Sequence, residues 1–368
     1  MKYWRGYLVA AFLAIATFAI TQFAAGHRLL IDMVYPYMVR MLLPEVTAWS
    51  NSVDFCLWQT LLLFVIGGVV LSIVLMILLR WNPIQWFGWI LALSCLFTLL
   101  NTGLFSLGQY ATPMAEDLLM EIEDYSADAL EDAALYYRDK ANVLSRKVNR
   151  DENGVIFSSF ADLNAQAGEG FRYLTYNRGF AIFSGDTSPV KELGWSDLYT
   201  RQGVTGMTVY LTGESAVNTQ MPQVGLPFAI CKEMAKRMMI YNDSEANFAA
   251  FLASTCHDQL SDEFKYSAYL MAYRAIYNTI ASQNSVSAQN IAASLDASLS
   301  TLLKEDLDRY NSFFSDSQAE EPDALFTDLL VSWHIQEVVI PMTPVEDTGF
   351  DPMDETDDRL QDIVNKVA

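Results

Sequence analysis

Three stretches near the start of the chain carry no charged side chain: Tyr7 to Ala25, Cys56 to Leu79 and Ile84 to Leu107. They run for 19, 24 and 24 residues, and the core of a bilayer takes about 20 apolar residues. Soluble helices are seldom apolar on every side, so three buried core helices are the weaker reading. Three transmembrane helices are predicted at about 7–25, 56–79 and 84–107, within a membrane domain of residues 1–110. The small residues of QFAAG at the end of the first stretch leave open a cleaved signal peptide there.

Beyond residue 110 the pattern becomes amphipathic. Met114 to Arg150 reads as one long helix, with Leu118, Ile122, Tyr125, Ala129 and Leu130 at helical spacings. DENG at 151–154 ends it. Phe160 to Asn177 reads as a second helix. From Asn177 to Gln220, glycines and a β-branched run predict loop with one or two short strands, VTGMTVYL at 204–211 among them. Helical spacing returns near Leu226 and lasts to about Phe313. SDSQAEEPD at 315–323 breaks it, and a last helix starts near Ala324. The predicted fold class is therefore mainly α. Three N-terminal transmembrane helices lead into a helical domain over 111–314 with a minor β element. A C-terminal helical extension over 315–345 and an acidic, mobile tail over 346–368 follow.

Charge divides the same way. Residues 1–110 hold five of the 23 Lys and Arg and three of the 44 Asp and Glu, which leaves 18 and 41, a net of -23, for 111–368. Nucleic acid is excluded as a partner, because phosphates need a basic footprint. Lys2 and Arg5 before the first span, and Arg80 between the second and third, place those flanks in the cytoplasm. Trp81, Trp86 and Trp89 beside Arg80 suit an interfacial belt. The loop Gly26 to Phe55 and the acidic domain then lie outside. Four cysteines make no disulfide framework. Cys231 and Cys256 are either one bridge or, better, two buried thiols.

The chemical candidate is CKEMAKRMMIYNDSEANF, Cys231 to Phe248. Residues i and i+4 share a helix face. That is how H-E-x-x-H offers two imidazoles to one zinc and leaves its glutamate to activate bound water. Here the frame reads Lys232-Glu233-Met234-Ala235-Lys236. Glu245 follows across the turn YNDS, where Asp243 and Ser244 are both capping types for a new helix.

Together with TGESAVNTQMPQVGLPF (212–228), SEANFAAFLAS (244–254) and FKYSAYLMAYRAIYNTI (264–280), this stretch resembles the bacterial membrane proteins grouped as the domain of unknown function 3810 family. The resemblance implies three N-terminal spans and an outer, zincin-like helical domain whose helix reads H-E-x-A-H and is followed by E-A-N-F. Residue by residue, it implies Glu233 as general base and Glu245 as third metal ligand, with Lys232 and Lys236 standing where the zinc-binding histidines belong. Zinc is thus the cofactor of the family, and these lysines predict its loss here. An ammonium has no lone pair to donate, and freeing one at pH 7 costs about 4.6 kcal/mol. His27, His257 and His334 do not supply a replacement set. No metal and no cofactor are expected.

Two imidazoles with Zn²⁺ carry the charge of two lysines. Lys232, Lys236, Glu233 and Glu245 are therefore expected as an ion-pair cluster in place of a metal cage, against the plainer reading of a helix with exposed lysines. Asn247 of the E-A-N-F element, Tyr266 and Tyr269 are candidates to line the cleft. The stripe Tyr266, Tyr269, Tyr273 and Tyr277 reads equally as core. The expected protein is a multi-pass cell-membrane protein with its C-terminal domain extracytoplasmic. It is a degenerate, non-catalytic peptidase-like protein binding a polypeptide or a cell-envelope partner, with the lipid bilayer as its other contact. A hydrolase with unusual or absent metal ligation and a structural envelope protein are the alternatives.

Overall fold

The computed structural model describes residues 2–122, 124–313 and 322–339. The expected acidic tail over 346–368 and the break at 315–321 lie outside the described residues. Four long helices come first: α1 (Arg5–Gly26), α2 (Arg28–Ser50), α3 (Leu57–Leu78) and α4 (Pro83–Leu104). α1, α3 and α4 are each long and apolar enough to cross a membrane, as the uncharged stretches predict. Gly6 of α1 lies against Gly88 of α4, where an added Cβ would meet backbone at 2.5 Å. Both glycines sit within the first two turns of their helices, so α1 and α4 run parallel in close contact. α3 stands apart from that pair, and nothing in its most apolar window is buried.

α2 falls in the segment expected as a loop. Pro36 and Pro44 inside it, with Arg28, Asp32, Arg40 and Glu45, hide the helix from a hydropathy reading. The long helix expected from Met114 to Arg150 is also corrected. It divides into α5 (Met114–Asp117) and α6 (Ala127–Leu144), separated where Leu119 takes a positive φ of 56°. Ser126 starts α6 by accepting a hydrogen bond from the Ala129 amide.

α7 (Phe160–Tyr176) and the short α8 (Ser196–Thr200) precede and follow the first strand of a small sheet. Its strands are β1 (Lys191–Glu192), β2 (Gly206–Val209) and β3 (Glu214–Val217), in the order β1-β3-β2. β1 pairs with β3 in parallel, and β2 pairs antiparallel with Gly206 opposite Val217. β2 is thus an edge strand, and it falls within the stretch expected as strand. α9 (Leu226–Arg237), α10 (Asp243–Thr255), α11 (Asp262–Ala281), α12 (Val286–Ala297), α13 (Thr301–Phe313) and α14 (Ala324–Trp333) follow, and α14 runs on into a π-helical segment, His334–Val339.

α10 is the axis of the core. Ala246, Phe248, Ala249, Ala250, Leu252 and Ala253 are fully buried. Small side chains there let α7, α9, α11 and α14 pack around one helix. The sheet rests on α9. It is also tied to the membrane helices by a buried ion pair, Lys191 Nζ to Glu214 Oε1 at 2.6 Å. Glu214 accepts from the amides of Leu57 and Trp58, at 2.8 and 2.9 Å, which opens α3. Lys191 donates to the carbonyls of Ser50 and Phe55.

Candidate functional site

α9 carries the three charged residues of the K-E-M-A-K frame. Pro227 occupies its first turn, which suits an N-terminus that needs no amide hydrogen there. The helix ends at Met238, and Met239 turns the chain with φ 71°. Asn242 then caps α10, its side chain accepting from the amides of Ser244 and Glu245. The cap sits one residue before Asp243 and two before Ser244, the types the sequence offered, and the first helical residue is Asp243.

This placement decides which acid meets the lysines. Lys236 Nζ lies 2.6 Å from Asp243 Oδ1, and Lys232 Nζ lies 3.7 Å from Oδ2. Asn247, four residues after Asp243, shares its face of α10 and donates to Asp323 Oδ2 at 3.2 Å. Lys232, Glu233, Lys236, Asp243 and Asn247 all line one cleft of about 990 Å³. Its far wall includes Arg274 and Asn278 of α11, and its rim the chain from Arg201 to Gly206 that leads into β2.

The Glu233 side chain meets the sheet and is 1 % exposed. Thr208 of β2 donates to its Oε2 at 2.8 Å, and Ser215 of β3 donates to its backbone carbonyl at 2.8 Å. β2 comes so close that a Cβ on residue 206 would meet Glu233 Cγ at 2.5 Å, so only glycine fits there. Burial pushes the Glu233 carboxyl above its ordinary pKa, against the pull of Lys236, Lys232 and the Thr208 hydroxyl. Burial would lower the Lys236 ammonium, but Glu233 and Asp243 outweigh it and hold it above its usual value. Burial would raise Asp243, but the two ammoniums outweigh it and hold that carboxyl low.

The structure does not bring Glu245 to this cluster. Two residues on a helix are about 200° apart, so Glu245 points to the opposite side of α10 from Asp243. There its Oε1 accepts from the Met114 amide at 2.8 Å. It lines a second cavity of about 960 Å³ with Asp32, Tyr35 and Asp117. The expected four-residue cluster thus holds Asp243 where Glu245 was assigned.

Tyr266 and Tyr269 do not line the cleft either. Tyr266 is buried and donates to Asp306, which pairs with Arg150 at 2.6 Å. Tyr269 packs in the core against Tyr137 and Phe251. The cleft-facing side of α11 is Met271, Arg274, Ala275 and Asn278 instead. Arg274 lies over the Tyr310 ring and donates to Asn311 Oδ1 at 2.8 Å.

Asp243, Thr208 and Arg274 are site residues that the sequence reading missed. Asp243 had a signal: once Asn242 is taken as the cap, residues 243 and 247 fall on the face that follows Lys236.

The donor set does not fit zinc. Two ammoniums offer no lone pair. His257 stacks on Tyr173 at 4.8 Å, and His334 is packed against Tyr136, both away from the cleft. Among the described residues, no group of three or more His, Cys, Asp or Glu is placed to hold a metal. Cys231 and Cys256 are not joined in a disulfide, and Cys231 is buried. What the cleft does offer is a row of positive donors, an acid buried beneath them and an edge strand at the rim.

No curated protein and no solved structure matches the chain. A family model, described as Protein of unknown function (DUF3810), matches residues 31–330, from within α2 to within α14, and includes the whole cleft. The chain belongs to that family.

Proposed function

We propose that this chain is a membrane-anchored, degenerate relative of the zinc peptidases that binds a polypeptide without cleaving it. The observation that carries this reading is the Lys232–Asp243–Lys236 bridge. It fills the i and i+4 positions where a metallopeptidase helix would hold its metal, with Glu233 intact between them. A metal cage and this bridge put similar positive charge at the same point, so the cleft keeps its shape while losing the means to activate water. The rim strand supports a polypeptide as the ligand. β2 pairs on one side only among the described residues, and an edge strand accepts an extended peptide through its backbone.

The same reading places the helical domain outside the cytoplasm, from Lys2, Arg5 and Arg80 on the opposite flanks. An external protease added to intact cells, with any outer membrane permeabilised, is expected to digest the domain after Leu107. Digestion only after lysis reverses the orientation.

The binding test uses an unfolded polypeptide, reduced and alkylated lysozyme carrying fluorescein, followed by anisotropy and by gel. The expected result is saturable binding, an unchanged chain length after hours, and affinity reduced about tenfold or more by Asn278→Trp, which narrows the cleft from α11. Cleavage that a chelator abolishes would make the protein an enzyme. Absence of binding at all concentrations would leave a structural role.

A further inference from the structure

We propose that α2 lies flat on the bilayer surface, its outer face buried in the boundary between headgroups and acyl chains. The inference rests on α1, α3 and α4 spanning the membrane and is independent of the cleft. α1 and α4 run parallel, so the chain crosses once more between them, through α3. The end of α1 and the start of α3 are therefore at the same membrane face. α2 bridges those two points, joined to α1 by His27 alone and to α3 by Asn51–Cys56.

Length then fixes its attitude. The 23 residues of α2 make a rod of about 34 Å. The connection from Ser50 to Leu57 reaches about 24 Å when fully extended, and it contains turns that shorten it. A helix standing on end would lift the start of α3 out of the membrane. α2 must instead lean over, to about 45° or less from the surface by these lengths, and the turns in the connection bring it lower.

Its faces agree. Ile31, Tyr35 and Leu43 are buried under the domain with Phe105 and Leu107 at the exit of α4. Asp32 is turned inward, where its carboxylate accepts from the Thr112 amide and hydroxyl. Arg28 pairs with Glu116 at 2.8 Å. The rest of the exposed surface is largely apolar: Leu29, Leu30, Met33, Val34, Met41 and Leu42 are between 47 and 80 % exposed, with Glu45 exposed beside them near the end of the helix. Among the described residues nothing covers that surface, and α2 begins one residue after the end of α1. Helices of this kind sink about 5–10 Å into the interface. The acidic domain disfavours attraction to anionic headgroups, so the contact is with acyl chains and with neutral lipid.

The test places the photo-cross-linking residue benzoylphenylalanine at Met33 or Met41, one at a time, in the full chain reconstituted in phosphatidylcholine vesicles. Phe64 of α3, 73 % exposed, is the membrane control, and Phe157 of the helical domain, 70 % exposed, is the water control. Folding of each variant is checked by circular dichroism, and both test positions are exposed on α2, so either serves alone. Lipid adducts at 33 and 41 are expected to approach those at 64 and to exceed those at 157 severalfold. Adducts at 64 with none above the 157 level at 33 and 41 would overturn the proposal and leave the spans intact. Cross-links from 33 and 41 to a second copy of the chain would also overturn it. Absence of adducts at 64 would remove the membrane reading beneath it as well.

Discussion

Two lysine–carboxylate clusters in the same domain behave as opposites. Lys191 and Glu214 have side chains 7 % and 0 % exposed, and their remaining hydrogen-bonding capacity is taken up by backbone of the α2–α3 connection. Lys232 and Lys236 share one carboxylate, Asp243, whose side chain is 66 % exposed at the edge of an open cleft. The difference teaches that a charge pair takes its role from burial and from how completely its partners are satisfied. The first cluster holds the helical domain to the membrane helices. The second leaves positive donors facing an open cleft.

The comparison breaks most visibly in stability. Removing one partner of a buried pair strands the other charge, at a cost of about 3–5 kcal/mol. Glu214→Gln and Lys191→Met are therefore each expected to lower the unfolding midpoint in detergent by many degrees. The pair replaced together, Lys191→Met with Glu214→Leu, is expected to recover much of the loss. Asp243→Asn breaks a solvent-screened bridge and is expected to cost under about 1 kcal/mol. Equal losses from Glu214→Gln and Asp243→Asn, measured by thermal circular dichroism, would erase the distinction.

The two acids of α10 sharpen it at the next level. Glu245→Ala leaves the Met114 amide without its acceptor, and an orphaned half-buried donor costs about 1–3 kcal/mol. Asp243→Ala strands no backbone group. Denaturant midpoints are expected to fall for Glu245→Ala and to move little for Asp243→Ala.

The smallest effects are on pH dependence, and they have opposite signs. Asp243 is held below its ordinary value, since Lys232 and Lys236 outweigh its burial. Its contribution is present above an unfolded pKa of about 3.9 and is lost as pH falls through the lower folded value. Asp243→Asn should therefore remove a part of the acid destabilisation worth under about 1 kcal/mol. Burial raises Glu233, so its contribution is complete below an unfolded pKa of about 4.3. It fades as pH rises through the folded value. Glu233→Gln is expected to flatten that rising limb. Stability curves between pH 3 and 8 check both, and the same slope change from both variants would contradict the assignment.

How much of this the sequence disclosed depends on the physics of each element. The spans are legible because 24 uncharged residues like those of Cys56 to Leu79 match the length and apolarity of a bilayer core. α10 and α14 are legible in their apolar spacing. α2 is not, because Pro36 and Pro44 argue locally against a helix that packing against Leu107 and Thr112 stabilises. Lys232, Glu233 and Lys236 were placed correctly on one helix, since i and i+4 spacing survives small errors in its ends. The third acid was not, because it depends on where Asn242 caps α10. A shift of one residue turns a side chain by about 100°, and counting from the motif chose Glu245 over Asp243. The tyrosine stripe has helical spacing on either face of α11, and only Asp306 and Phe251 show that it faces the core.

The central claim is that lysines stand in the position of metal ligands, and zinc analysis of the purified chain tests it most directly. After dialysis against a weak chelator the native protein is expected to hold no stoichiometric zinc. Lys232→His with Lys236→His is expected to hold about one zinc per chain, since two imidazoles and the Asp243 carboxylate then leave one position open. Adding Asp243→Asn should weaken retention by about tenfold or more, judged from what even outer contacts contribute, whereas adding Glu245→Gln should leave it unchanged. A native chain that keeps about one zinc would contradict the account. So would a folded double-histidine variant that keeps none.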